Sequence, residues 1–268
     1  MLAACTSSTP PPDSTGGTGP TDTPVVVDTD PATLTPPPLD EDTTLQAATE
    51  IWQLERGRLI IHVGKTGRLA RLGHNHLVSS TQLTGKVWIT PDTSLRAEVH
   101  TSVMDLNVDD PTLRAAYRAS TDDASTGSKG KSWAEIYASF PSPKNIADTR
   151  ANMLGPRVLD AKNHPNLYVT LSADHAPNTE HFGSIEASLT ISVRGVQSQA
   201  PVSLQWTRDD AEHIAWHTVF KVDHSTLGIK PFSALGGALA VAEEMTLEVS
   251  GILERSGTVQ IDATSVEH

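Results

Sequence analysis

From Ile51 onward the chain is cut into short runs in which apolar residues recur at every second position. Leu59, Ile61 and Val63 alternate with Ile60 and His62. Leu83, Gly85, Val87 and Ile89 keep the same period, with Trp88 on the opposite face. Ala97, Val99 and Val103 continue it. Leu167-Tyr168-Val169-Thr170-Leu171 follows Pro165, and Leu189, Ile191 and Val193 come next. Val202, Leu204 and Trp206, then Trp216, Thr218, Phe220 and Val222, and finally Met245, Leu247 and Val249 complete the series. Side chains two apart on a strand share a face, so each run predicts a strand with one buried side. Roughly eight such strands joined by turn residues predict an antiparallel barrel or sandwich rather than βαβ units. In a barrel, one set of side chains per strand faces an enclosed interior.

The middle of the chain departs from this period. Pro111 to Tyr117 predicts a short helix. Lys144 to Met153 predicts a second, with Ser142 as its cap ahead of Pro143. The stretch from Ser120 to Ser132 is rich in Ser, Thr, Gly, Asp and Lys and reads as a loop. We therefore expect a helical excursion between the fourth and fifth strands, and a polar tail over residues 255–268.

The first fifty residues have a different chemistry. They carry Asp13, Asp22, Asp28, Asp30, Asp40, Glu41, Asp42 and Glu50 with no Lys or Arg, and so supply eight charges of the net −12. Residues 6–50 are a Thr/Pro/Asp/Gly segment with too few apolar groups to offset the entropy of ordering, which predicts a tether. Residues 51–254 are then the barrel domain. The acidic balance and the lack of a basic patch exclude nucleic acid, whose phosphates require Lys and Arg clusters. No run of 18 apolar residues provides a membrane-spanning helix. Cys5 is the single cysteine and cannot form an internal disulfide. Its context, Leu2-Ala3-Ala4-Cys5 before a Ser/Thr/Pro run, resembles the lipobox at which bacterial signal peptides are cut and the cysteine is lipidated. This predicts an exported lipoprotein at the cell envelope.

Motifs for chemistry are few. Gly130-Lys131-Ser132 ends like a phosphate loop, but the glycine that the motif needs five residues earlier is Ser125. His74-Asn75-His76 spells a nuclease motif without the further ligands or the basic surface. Two His at i and i+2 on a strand do point to one face, which suits a metal, with His217 or His224 as distant third ligands. The other reading is that they satisfy backbone groups in the turn after Gly73. Asp223-His224-Ser225 are adjacent and point to alternate faces, so they form no triad. We expect no enzyme.

Two stretches carry a resemblance. Leu189-Thr190-Ile191-Ser192-Val193-Arg194-Gly195-Val196 with Pro201-Val202 is similar to a strand–turn–strand of the YceI-like family. Val158-Leu159-Asp160-Ala161-Lys162-Asn163-His164-Pro165 is similar to its "FLDA" segment, with His164 where Tyr is usual and Leu171 where Phe is usual. Weaker matches at Val63 to Gly67, Leu83 to Val87 and His224 to Ile229 keep family order. The resemblance implies a single lipocalin-like antiparallel β-barrel whose tunnel holds a polyisoprenoid or another long amphiphile, in exported proteins. A Gly-His-Asn-His turn like Gly73 to His76 marks a subgroup of the family.

The inward, ligand-facing candidates are Leu59, Ile61, Val63, Val87, Ile89, Val99, Leu189, Ile191, Val193, Phe220, Val222 and Leu247, with Phe232 at the barrel mouth. Lys230 or Arg194 could meet an anionic head group. With four Phe in the chain, we expect an aromatic-poor lumen. The primary expectation is a carrier of a polyisoprenoid, isoprenoid quinone or fatty-acid derivative, anchored to a membrane through Cys5. The alternatives are a metal or haem protein using His74 and His76, linked to a bound quinone, and a structural surface domain with a filled barrel. A dimer is compatible with either.

Overall fold

The structure, a computed structural model, describes residues 50–120, 131–177, 181–208 and 210–257. The tether with Cys5, most of the 120–132 loop and the end of the tail lie outside the described residues.

The first strand, β1 (Glu50–Thr66), shows how the sequence builds a barrel wall. Trp52 and Leu54 point inward, and so do Leu59, Ile61 and Val63, although 54 and 59 differ in parity. A bulge between Leu54 and Arg56 supplies the one-residue shift that changes face. Two opposed glycines, Gly57 and Gly251, let it pass. A Cβ on Gly251 would lie 2.8 Å from Leu54 Cδ1, and one on Gly57 would lie 2.9 Å from both Leu54 and Leu83.

Beside β1 run β2 (His76–Ser80) and β3 (Thr84–Ile89). They are one interrupted strand. Val63 pairs with His76, Leu59 with Ser80, Gln53 with Lys86 and Glu50 with Ile89, all in one antiparallel register. The sheet continues through β4 (Leu95–Ser102), β6 (Asn166–Ala173), β7 (Phe182–Val193), β8 (Val196–Arg208), β9 (His213–Asp223) and β11 (Leu239–Gly257). β11 then pairs back to β1, so β1, β3, β4, β6, β7, β8, β9 and β11 close an antiparallel eight-stranded barrel. The short β5 (Asn107–Val108) extends the β2 edge, and β10 (Ser233–Ala234) extends β11. Closure removes the exposed edges that an open sheet would leave. The β7–β8 hairpin turns on Arg194-Gly195, both at positive φ (53° and 76°), as the two-residue turn matched to strand twist requires.

The alternation predicted from sequence holds, and the fold is the expected barrel. The sheet reaches further at its end than the proposed boundary. Ile51 pairs with Gly257, so residues 255–257 belong to β11 rather than to the tail. The helical excursion falls between the third and fourth barrel strands, not the fourth and fifth. It comprises α1 (Pro111–Ala119), α2 (Trp133–Ile136) and α3 (Pro143–Leu154). Asp110 caps α1 by accepting from the Leu113 amide, and Ser142 caps α3 by accepting from Asn145, each followed by a proline at the first turn. The sequence reading missed α2. Ser132, assigned to the loop, is its N-cap and forms a reciprocal capping box with Glu135.

α1 and α2 cover the outer face of the barrel where Ile60, His62 and Leu77 point away from the lumen. Ile60, Leu77, Trp133 and Tyr137 form a second buried cluster there, apart from the luminal core. Within it, His62 Nδ1 lies 2.7 Å from the Tyr137 hydroxyl and Nε2 lies 2.7 Å from Glu248 Oε1. The Tyr117 hydroxyl donates to the other Glu248 oxygen at 2.5 Å. Trp133 stacks on the His62 ring with centroids 4.0 Å apart. Burial raises Glu248, but the hydrogen bonds from His62 and Tyr117, and the charge of His62, outweigh it and leave the carboxyl below its usual value. Desolvation drives both tyrosine hydroxyls far above theirs.

Candidate ligand-binding lumen

The inward side chains do not fill the barrel. They leave a cavity of about 420 Å³, within the range of roughly 300–1,000 Å³ typical of small-molecule sites. Its wall is aliphatic, with each barrel strand contributing. Of the thirteen sequence-derived candidates, Leu59, Ile61, Val63, Val87, Val99, Leu189, Ile191, Val193, Phe220, Phe232 and Leu247 line it. Val222 is buried in the surrounding core, and Ile89 packs against that core without reaching the cavity. Phe232 is 56% exposed, at the open end where β1 finishes and β11 begins. Helix α3 lends Thr149, Asn152 and Met153 to the lining, and Val158 and Leu159 follow.

The opposite end carries indoles. Trp206 and Trp216 line the cavity, and Trp52 is fully buried in the same core. Trp52 donates to Glu50 Oε2 at 3.1 Å, and the guanidinium groups of Arg255 and Arg208 lie 4.9 and 5.5 Å from its ring centroid. Among the described residues, the Phe and Trp rings of the lining are those of Trp206, Trp216, Phe220 and Phe232, so the wall is aliphatic and aromatic-poor, as expected. Phe182 is 74% exposed on the outside.

At the open end the wall becomes polar. Lys65, Gly73, His74, His76 and Lys230 line it. Lys65 donates from Nζ to the Gly73 carbonyl at 2.7 Å. His76 is the first residue of β2 and opposes Val63, but His74 lies before the strand, so the expected i, i+2 strand pair is only half right. Nor do these imidazoles satisfy backbone groups of a turn. His76 Nδ1 sits 2.6 Å from Asp109 Oδ2, and His74 Nδ1 is 3.4 Å from the Ser139 hydroxyl. The two rings are 6.4 Å apart. The proposed third ligands are elsewhere. His224 lines the lumen with Nδ1 2.9 Å from the Glu243 carbonyl oxygen, and His217 is exposed on the outer face of β9. Among the described residues no group of three or more metal-binding side chains comes together. Arg194 is committed to the Val158 carbonyl at 3.1 Å and does not line the cavity.

Behind His76 lies a buried ion pair that the sequence reading missed. Asp109 and Arg114 are both 0% exposed. Asp109 accepts from Arg114 Nη1 at 2.6 Å and from the Leu77 amide at 3.0 Å. Arg114 also donates to the carbonyls of Asn75 (3.0 Å) and Ser139 (2.7 Å). The guanidinium thus neutralises Asp109 and fixes the backbone on both sides of the opening, while the carboxylate fixes His76. Burial, together with the charges of His76, Lys65 and Arg114, holds His74 below the usual imidazole value, with Asp109 opposing.

A closed antiparallel barrel around an apolar lumen with a polar end is a lipocalin-like architecture. Three solved structures resemble its fold in varying degree. A polyisoprenoid binding domain from Saccharophagus degradans, implicated in plant cell wall breakdown, matches over 76% of this chain and 98% of its own, at 11% identity and a TM-score of 0.50. BcnA of Burkholderia cenocepacia matches over 73% and 95%, at 10% identity and a TM-score of 0.46. A mutant YceI protein matches over 67% and 84%, at 9% identity and a TM-score of 0.38. The first of these fixes the fold, which is the one that the YceI-like motifs implied. No protein-family model and no curated protein matches the sequence. Among the described residues no helix is long and apolar enough to cross a membrane.

Proposed function

We propose that this barrel belongs with the YceI-like proteins and binds a long apolar or amphiphilic chain, such as a polyisoprenoid, an isoprenoid quinone or a fatty-acid derivative. The observation that carries the reading is the cavity itself. About 420 Å³ is left open inside a wall built from the apolar face of every barrel strand. A barrel whose only task was structural would gain by filling that space, because unfilled volume forfeits packing energy. A hydrocarbon chain gains roughly 0.8 kcal/mol for each methylene taken from water. It needs few polar contacts. The polyisoprenoid named for the Saccharophagus degradans domain is a ligand of this kind. On this reading the Thr/Pro/Asp segment tethers the barrel at the cell envelope through a lipidated Cys5.

The test is a titration of delipidated protein with prenols of increasing length, read by the fluorescence of the luminal Trp206 and Trp216. Affinity that climbs with chain length and then levels off, once the lumen is full, is the expected result. Prenols that leave the emission unchanged at every length would remove the proposal.

A further inference from the structure

The open end of the barrel presents apolar side chains to the outside as well as to the lumen. Among the described residues, the four most exposed large apolar side chains are Phe182 (74%), Leu235 (70%), Leu72 (63%) and Phe232 (56%). Phe182 begins β7 at the far end. The other three stand on two segments at the opening, 67–73 after β1 and 230–238 before β11. The segments brace each other, because the Leu69 amide donates to the Ala238 carbonyl at 2.7 Å. Arg68 and Arg71 are exposed on the first and Lys230 on the second. In a chain of net charge −12, residues 56–91 and 224–242, which include both segments, contain no Asp or Glu. Of the acids just beyond them, Glu243 accepts from the Ser225 amide and Glu244 pairs with Lys221. Leu235 is also held at φ 51°, ahead of Gly236 at 63° and Gly237 at 86°. That left-handed region strains a bulky side chain, whereas glycine or asparagine occupies it freely. A strained leucine kept in solvent gains nothing from the barrel's own packing, and such an outlier points to a task outside it.

We propose that this rim is a membrane-docking surface, in which Leu72, Phe232 and Leu235 enter the apolar boundary of a bilayer while Arg68, Arg71 and Lys230 meet its anionic surface. The occupant is a lipid surface rather than a second copy of the chain, because two such rims face to face would set like charges against each other. The rim borders the lumen: Lys230 and Phe232 belong to the cavity lining. Docking therefore turns the opening toward the bilayer, and a chain passes between membrane and barrel without crossing water. That last consequence rests on the chain-binding reading above. The docking itself does not, so vesicle binding and the prenol titration can fail independently.

The experiment is co-flotation of the full chain with vesicles, with Cys5→Ser as background so that no acyl anchor contributes. One vesicle type is phosphatidylcholine alone, and the other is an equimolar mixture with phosphatidylglycerol. Binding to the mixed vesicles, weakened by added salt and much weaker on phosphatidylcholine alone, is the expected result. Leu235→Asn should lower the affinity about tenfold through the lost apolar contact, and the pair Arg68→Gln with Arg71→Gln about tenfold through the lost charge. Asparagine suits the left-handed backbone, so Leu235→Asn should keep or raise the thermal midpoint, which separates docking from folding. Phe182→Ser, at the far end, should leave vesicle binding unchanged. No flotation with the mixed vesicles would overturn the proposal, and so would equal binding to both vesicle types. Binding that survives in both rim variants, or that is lost in Phe182→Ser, would place the contact elsewhere and overturn it as well. Self-association that Leu235→Asn abolishes, without vesicle binding, would make the rim a contact between copies of the chain instead.

Discussion

Replacing Arg114 with methionine tests how much of the architecture at the opening depends on one buried guanidinium. The side chain is fully enclosed and donates to Asp109 Oδ1 at 2.6 Å, to the Asn75 carbonyl at 3.0 Å and to the Ser139 carbonyl at 2.7 Å. Methionine keeps most of the packing but leaves a carboxylate at zero exposure with His76 as its remaining side-chain partner. Breaking a buried pair in this way costs about 3–5 kcal/mol. Retention of the His76 contact places the expectation at the lower end, near ~3 kcal/mol, still a large part of the roughly 5–15 kcal/mol that holds a domain together. Urea unfolding followed by circular dichroism gives the number. Asp109 sits at φ 54°, a left-handed conformation that asparagine tolerates. Asp109→Asn combined with Arg114→Met therefore removes both charges without straining the backbone. The double variant should recover at least ~1.5 kcal/mol relative to the sum of the single losses, the coupling expected of a buried pair. A single-variant loss below ~1 kcal/mol, or strict additivity in the cycle, would refute the argument that this pair anchors α1 and the His74–His76 segment.

Three further outcomes follow from the same structure. Val169→Trp, in the middle of β6 between Val99 and Ile191, points into the open cavity; it should weaken prenol binding by tenfold or more in the fluorescence titration with little change in thermal midpoint. Glu248 has a folded-state value held below its ordinary 4.5, so its ionised form contributes stability above that pH and loses it as the pH falls through the lower, folded value. Glu248→Gln should flatten the acid limb of the stability profile below about pH 4.5, and an unchanged acid limb would show that the His62–Tyr117–Glu248 network does not hold the helices to the barrel. Trp52→Ala removes a fully enclosed indole of the core and should cost roughly 3–5 kcal/mol in chemical denaturation; a loss near zero would mean that this part of the core is not packed as described.

Much of this protein is written in its alternation. The inward residues of β3, β4, β7, β8 and β9 follow a strict period of two, and the side that faces the core is the side that the period selects. What escaped the reading was non-local or parity-breaking. The face change in β1 depends on Gly57 meeting Gly251 almost two hundred residues away, and an isolated strand carries no mark of it. His76 and Asp109 are 33 residues apart, and His62 and Glu248 are 186 apart, so neither pair has a local spacing to detect. α2 is four residues long, too short for a helical period, though Ser132 followed by Glu135 is the capping signal that would have found it. The sequence reading took His74 and His76 as a strand pair, whereas the strand begins at His76. Their setting on either side of a strand start, with a lysine beside them and a neutralised carboxylate behind, is visible only in three dimensions.

The most direct test of the central claim is mass spectrometry of an organic extract from the protein isolated from its native cells. The account predicts a near-stoichiometric amphiphile with a long apolar chain. A lipid-free extract from folded, native-source protein would contradict the claim that this barrel exists to hold a chain.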